Sequence, residues 1–148
     1  MIKLHIPTPL LKNSVEILKD SPDKERVVLW LGIEEAGKYL VKEVFMPIQE
    51  TEKDRFWIPE GGMKQLLERL KVSRTMIVAQ VHTHPFEAFY SRADDTWAII
   101  RHLNAYSLVL PNFCASTGET NFKKTVATFV LSKRNKWQLV SNNNIIVV

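Results

Sequence analysis

The residues of this chain whose types and spacing could do chemistry lie within residues 76–102, MIVAQVHTHPFEAFYSRADDTWAIIRH. His82 and His84 stand two apart, at the end of an apolar run (Met76, Ile77, Val78, Ala79, Val81) that reads as a buried strand. Alternate residues of a strand point to one side, so both imidazoles can converge on a single point. A loop with Pro85 and aromatic residues follows, then Ser91 and Asp94. Ser91 has the character of a helix N-cap, which sets Asp94 at the third helical position, where a carboxylate also suits the positive helix end. Two imidazoles and one carboxylate are the ligand set of a catalytic zinc that keeps a fourth position open for water. Asp95 competes with Asp94 for the third place. Asp94 is preferred because it faces the same way as the Ser91 cap. A single histidine on an apolar strand is ordinarily a packed core residue, and Ser-x-x-Asp is ordinarily just a capped helix. Their bunching at one strand end is what points to a metal.

The elements that must position these residues follow from the pattern. Ile2, Leu4 and Ile6 alternate with polar residues as a short strand. Thr8 is expected to cap a helix that takes Pro9 in its first turn, with Leu11, Val15 and Leu18 on one face and an end near Asp20. Residues 25–33, ERVVLWLGI, are too continuously apolar for a surface strand and are expected at the sheet's centre. Residues 34–38 with Gly37 make a hairpin turn into a strand over 39–46, and residues 49–55 read as a charged loop. A short strand over 56–58 precedes a helix over 59–70 with Met63, Leu66, Leu67 and Leu70 inward. Helical spacing continues from Ser91 through Ala98, Ile99, Ile100 and Leu103. Residues 106–110 are a buried strand stopped by Pro111, residues 112–121 a loop, and residues 125–131, 137–140 and 145–148 late strands. Hairpins mixed with helices give an α+β (mixed α/β) class around one sheet.

Composition bounds the rest. At 148 residues the chain is expected to be one domain, 1–148, with an ordinary 45% of apolar residues. Cys114 is the only cysteine, which excludes a disulfide framework or a cysteine-rich zinc knuckle and fits a reducing compartment. The beginning MIKLHIPTPLLKNS breaks at two prolines and is not expected to be a signal peptide. No segment reaches the roughly 20 apolar residues of a membrane span. A cytoplasmic location, with no membrane partner, is the expectation. The net charge of +4 is scattered over the surface rather than gathered, so no nucleic acid is expected as a partner.

Zinc-assisted hydrolysis also needs a group to take and give a proton, and the beginning of a neighbouring strand is a suitable place. Glu25 stands there, ahead of VVLWLG, although alone it would read as a solvated strand end. The residues together resemble the JAB1/MPN (JAMM) metalloproteases. Glu25 followed by Gly32 is similar to that family's opening strand, and His82-Thr83-His84-Pro85 with Ser91 and Asp94 is similar to its zinc motif. Glu87, Ala88, Phe89, Asp95 and the later SLVLPNF resemble more narrowly the small prokaryotic JAB proteins encoded beside bacterial E1-like and E2-like enzymes. The resemblance covers nearly the whole chain. It departs in a shorter interval from His84 to Ser91 than the eukaryotic members have, in Phe86 where glycine is common, and in leaving no room for their insertions.

The resemblance implies a single MPN/JAB-type domain, a central mixed β-sheet flanked by about three helices. It implies one Zn2+ held by His82, His84 and Asp94, with Glu25 as general base and Ser91 donating to the carbonyl oxygen. The reaction implied is hydrolysis, by a zinc-bound water, of the amide after the C-terminal tail of a ubiquitin-like protein, in a precursor or a conjugate. The tail could lie as an added strand on a sheet edge near the site. E1-like and E2-like enzymes are then expected partners, and a role in antiphage defence an expectation of the same kind. The alternatives are a non-catalytic MPN scaffold or processing of a sulfur-carrier protein's C-terminus. A RadC-like DNA-associated protein would want an appended helical region. Trp57, Trp97 and Phe89 are candidates for a rim facing the substrate.

Overall fold

A computed structural model describes residues 1–89, 94–95 and 98–148. Strand β1 (Lys3–Ile6) leads into helix α1 (Thr8–Lys19), then the hairpin of β2 (Val27–Glu35) and β3 (Lys38–Phe45). A small hairpin follows, β4 (Glu50–Thr51) with β5 (Phe56–Trp57), before helix α2 (Glu60–Ser73). Strand β6 (Met76–Thr83) carries the histidines to its carboxyl end, and β7 (Tyr106–Leu110) lies parallel beside it. The chain closes with a short helix α3 (Phe122–Thr125), β8 (Ala127–Leu131), β9 (Trp137–Val140) and β10 (Ile145–Val147). Among the described residues the main sheet has eight strands in the order β10-β1-β3-β2-β6-β7-β8-β9. Parallel and antiparallel pairs are mixed in it. The class is α+β, as the pattern of hairpins and helices indicated.

The sheet has two packed faces. On one, α1 lays Leu11, Val15 and Leu18 against Val28, Trp30, Val81, Tyr106 and Leu108. On the other, Leu66 of α2 closes over Val27, Leu29, Leu31, Ile77 and Ile100. Central β2 is buried from Val27 to Gly32, which explains its unbroken apolar run. Gly32 lies where the pairing with β3 shifts register, and a Cβ there would stand 2.1 Å from the Leu40 carbonyl oxygen. The close approach of two backbones demands glycine at that position. Ala36 and Gly37 both have positive φ, the geometry of a tight hairpin turn between β2 and β3.

Several local expectations are corrected. Helix α1 is capped by Pro7, not Thr8; the Thr8 hydroxyl donates to the Val148 carbonyl instead. The 49–55 stretch is not simply a loop, because Glu50–Thr51 pairs with Phe56–Trp57. In α2, Met63, Leu66 and Leu70 follow one stripe, while Leu67 falls off it and is 61% exposed. Asp94 and Asp95 are helical, but residues 98–100 are not. There the backbone N–H of Ile99 donates to the Gln80 side chain at 3.1 Å rather than to a helical carbonyl. Burial of Ile100 under α2 accounts for the apolar spacing that imitates a helix.

Candidate metal centre

The ladder between β2 and β6 builds the site. Val27 stands opposite His82, and beyond it the Thr83 N–H donates to the Arg26 carbonyl while the Arg26 N–H donates to the Thr83 hydroxyl. Continued one step, that register sets Glu25 beside His84. Alternation then puts Glu25, Val27, His82 and His84 on the α2 side of the sheet. The loop after β6 is pinned by β7 and the turn beyond it: the His84 N–H donates to the Leu110 carbonyl, and the Phe113 N–H to the His84 carbonyl. Asn112, Phe113 and Cys114 all have positive φ, a turn that bends the chain back onto this loop.

Asp94 completes the group. Its two carboxylate oxygens lie 3.1 Å from His82 Nε2 and 2.9 Å from His84 Nε2. All three residues are buried, and their ligand atoms lie within 4.8 Å of one another. Tetrahedral zinc with bonds of about 2.0–2.1 Å holds its ligand atoms roughly 3.3 Å apart, so the three atoms already surround one ion-sized point. Both imidazole Nε2 atoms point inward, and His82 Nε2 accepts no hydrogen bond in the buried interior among the described residues. A divalent cation fits this donor set, and His82, His84 and Asp94 can hold one. Asp95, the competitor, is exposed and turned away, paired with Arg101 at 3.0 Å. Ser91 and Trp97 lie outside the described residues.

Glu25 is 2% exposed, and its Oε1 is buried with no hydrogen-bond partner among the described residues. Burial first, then the charges of Asp94 and Asp54, push its carboxyl up to about 8. A cation against Asp94 would offset that charge and draw the value down toward neutrality, where a proton acceptor works best. Glu25 is therefore a buried titratable group beside a candidate cation site, its Oε1 without a partner among the described residues.

Other neighbours, Phe89 apart, carry no local signature in the sequence. Phe56 of the small hairpin packs on His82, ring centroids 5.3 Å apart, and Phe89 meets His84 edge-on at 4.7 Å. The Glu25 N–H donates to the Glu52 carbonyl, and the Gln49 amide clamps both backbone groups of Val27. These contacts tie the β4–β5 hairpin across the site. Trp57 is half-buried beneath Arg55 and does not face the metal group, whereas Phe89 does. Cys114 is fully buried, and burial raises its thiol to about 11, which leaves it a packing residue.

The chain is similar to a probable metalloprotease, y4jG, of Sinorhizobium fredii, with 26% identity over 120 residues, covering 78% of this chain and 72% of the relative. No model of a known protein family matches it. Among solved structures, protein DSY2949 from Desulfitobacterium hafniense superposes with a TM-score of 0.72 at 11% identity, over 98% of this chain and 92% of that one. A JAB1/MPN domain protein from Archaeoglobus fulgidus, AF2198, superposes with a TM-score of 0.55 at 16% identity, over 100% of this chain and 97% of that one. The architecture here is that of the JAB1/MPN fold.

Proposed function

We propose that this chain, with its JAB1/MPN fold, is a zinc-dependent peptidase that hydrolyses the amide bond after the C-terminal tail of a ubiquitin-like protein. The observation that carries the reading is the buried convergence of His82, His84 and Asp94 with Glu25 on the same sheet face. Similarity to a probable metalloprotease agrees with it. When bound, zinc supplies a Lewis acid and a nucleophile at neutral pH.

The chain's own residues do the rest. His82, His84 and Asp94 would hold the metal. The Glu25 carboxylate takes the proton of the attacking water and returns it to the leaving amine; its Oε1, unpartnered among the described residues, suits both steps. Ser91 donates to the carbonyl oxygen as it becomes tetrahedral, a contribution of about 3 kcal/mol for one such donor. Strand addition at the main sheet is ruled out next to the metal, since β6 is flanked by β2 and β7. The edge near the site belongs to β4–β5, and a thin glycine-ending tail added there would run past Phe56 toward the metal group.

The test is a trap. Glu25→Ala should bind substrate without cutting it, and mass spectrometry identifies what co-purifies from host lysate against wild type. Enrichment of a small protein with a glycine-ending tail, free or conjugated, is the expected result. A zinc-loaded variant that enriches nothing contradicts the ubiquitin-like substrate.

A further inference from the structure

The sheet face that carries the metal group continues past it. Cross-strand partners share a face, and the register runs Leu29–Gln80–Ser107–Phe129–Leu139 across five strands. Leu131 and Trp137 form the next row on that face. Helix α2 covers the β2 and β6 end of it. At β9 Leu139 is 69% exposed, and a groove of about 890 Å³ lies over it, lined also by Phe129 and Trp137. A groove of this size with aromatic floor residues is of the scale that takes several side chains.

The groove opens off the metal group. Phe89 belongs to both: its ring lies against His84, and it lines the groove with 52% of its surface exposed. Arg101 braces the far wall. It donates to the Asp95 carboxylate and carbonyl on one side and to the Asn135 side chain and carbonyl on the other. Asp95 is thus neutralised, next in sequence to the ligand Asp94. Arg134 and Lys136 at the rim are exposed and make no ion pair among the described residues. The groove therefore has apolar lining with Leu139 and Phe89 exposed, and a positive rim that is unpaired among the described residues.

We propose that this groove docks the part of the protein substrate flanking the scissile bond, and that the docked segment is acidic with large apolar side chains. This rests on the peptidase reading for the identity of the occupant. Acidic groups answer Arg134 and Lys136, while leucine or aromatic side chains cover the exposed Leu139 and Phe89. A second copy of this chain suits the groove poorly, since the chain itself carries +4. A nucleic-acid strand would need a longer track of cations than two at one rim.

The test reads binding and turnover separately on zinc-loaded protein. The probe is a fluorescein-labelled peptide of alternating acidic and leucine or phenylalanine residues ending in two glycines and a cleavable amide. Its counterpart has lysines in place of the acids. Fluorescence anisotropy should show binding of the acidic probe alone. Arg134→Glu with Lys136→Glu should weaken it about tenfold, by replacing two attractions with two repulsions. Leu139→Ser should weaken it severalfold. Lys12→Glu with Lys124→Glu, the same charge change on the α1 side of the sheet, should leave it within twofold. Equal loss in that control, or wild-type binding by the groove variants, overturns the proposal. So does tighter engagement of this face by an oligothymidine or by a second copy. Amide cleavage in the same samples decides the peptidase reading: binding as expected with no zinc-dependent cleavage sinks that reading and leaves the groove, and cleavage with groove-independent binding does the reverse.

Discussion

The α1 face of the sheet and the histidine-bearing end of its α2 face treat buried polar groups in opposite ways. On the α1 side they are satisfied from within. Trp30 Nε1 donates to the Ser14 hydroxyl at 2.9 Å, Ser14 donates to the Leu10 carbonyl, and the Tyr106 hydroxyl donates to the Ile2 carbonyl. On the α2 side, at the ends of β2 and β6, Glu25 Oε1 and the Nδ1 atoms of His82 and His84 are buried without hydrogen-bond partners among the described residues, while both Nε2 atoms face Asp94. An unpaired buried polar atom costs about 1–3 kcal/mol, so a fold keeps several together only for something they bind. One face is held by its internal hydrogen bonds; the end of the other carries a buried group that could hold a metal ion.

The sharpest way to break that contrast is to remove a ligand. His82→Ala, His84→Ala or Asp94→Asn should each abolish stoichiometric zinc, read by elemental analysis of dialysed protein, and with it turnover. Asp95→Asn should keep the metal, because Asp95 is paired with Arg101 outside the group. Glu25→Gln comes next. It should keep zinc and lower kcat by about 10²–10⁴-fold, the usual worth of a positioned proton carrier.

Gly32→Ala, by contrast, should act on the fold alone. Its Cβ would meet the Leu40 carbonyl, so a loss of about 3 kcal/mol in denaturant midpoints is expected, with zinc stoichiometry per folded chain unchanged.

The smallest effect separates the faces by pH. In the metal-free chain the Glu25 carboxyl is raised from 4.5 to about 8, so its neutral form favours folding. That contribution is intact below about pH 4.5 and is lost as pH rises through about 8. Metal-free Glu25→Gln should match wild type near pH 4.5 and exceed it in stability above pH 8, by an amount on the order of a few kcal/mol. Identical pH profiles for the two chains would show that Glu25 is solvated rather than buried against Asp94.

The convergence of His82, His84 and Asp94 was legible in the sequence because its spacing is local. His82 and His84 share a strand face by parity, and Asp94 needed only a helix begun after the loop. Glu25 was legible as a position but not as a partner: alone it reads as a strand end, and only the Val27–His82 register brings it to the histidines. The β4–β5 hairpin was hidden because its strands are two residues each, too short for alternation to show, and because Gln49 and Glu52 tie it down through backbone contacts with Val27 and Glu25. Leu67 and Ile99 misled for a common reason. Apolar spacing reports that a side chain could be buried, whereas the neighbouring strand decides which one is.

The most direct test of a zinc-dependent peptidase is the dependence of amide hydrolysis on added zinc, after the metal is stripped by a chelator. The stripped chain should show no turnover, and activity should rise to a plateau at one equivalent of zinc. A Glu25→Gln chain should take up the same equivalent yet stay inactive. Full turnover without metal, or a zinc-saturated wild type that cleaves no glycine-ending amide, would contradict that assignment.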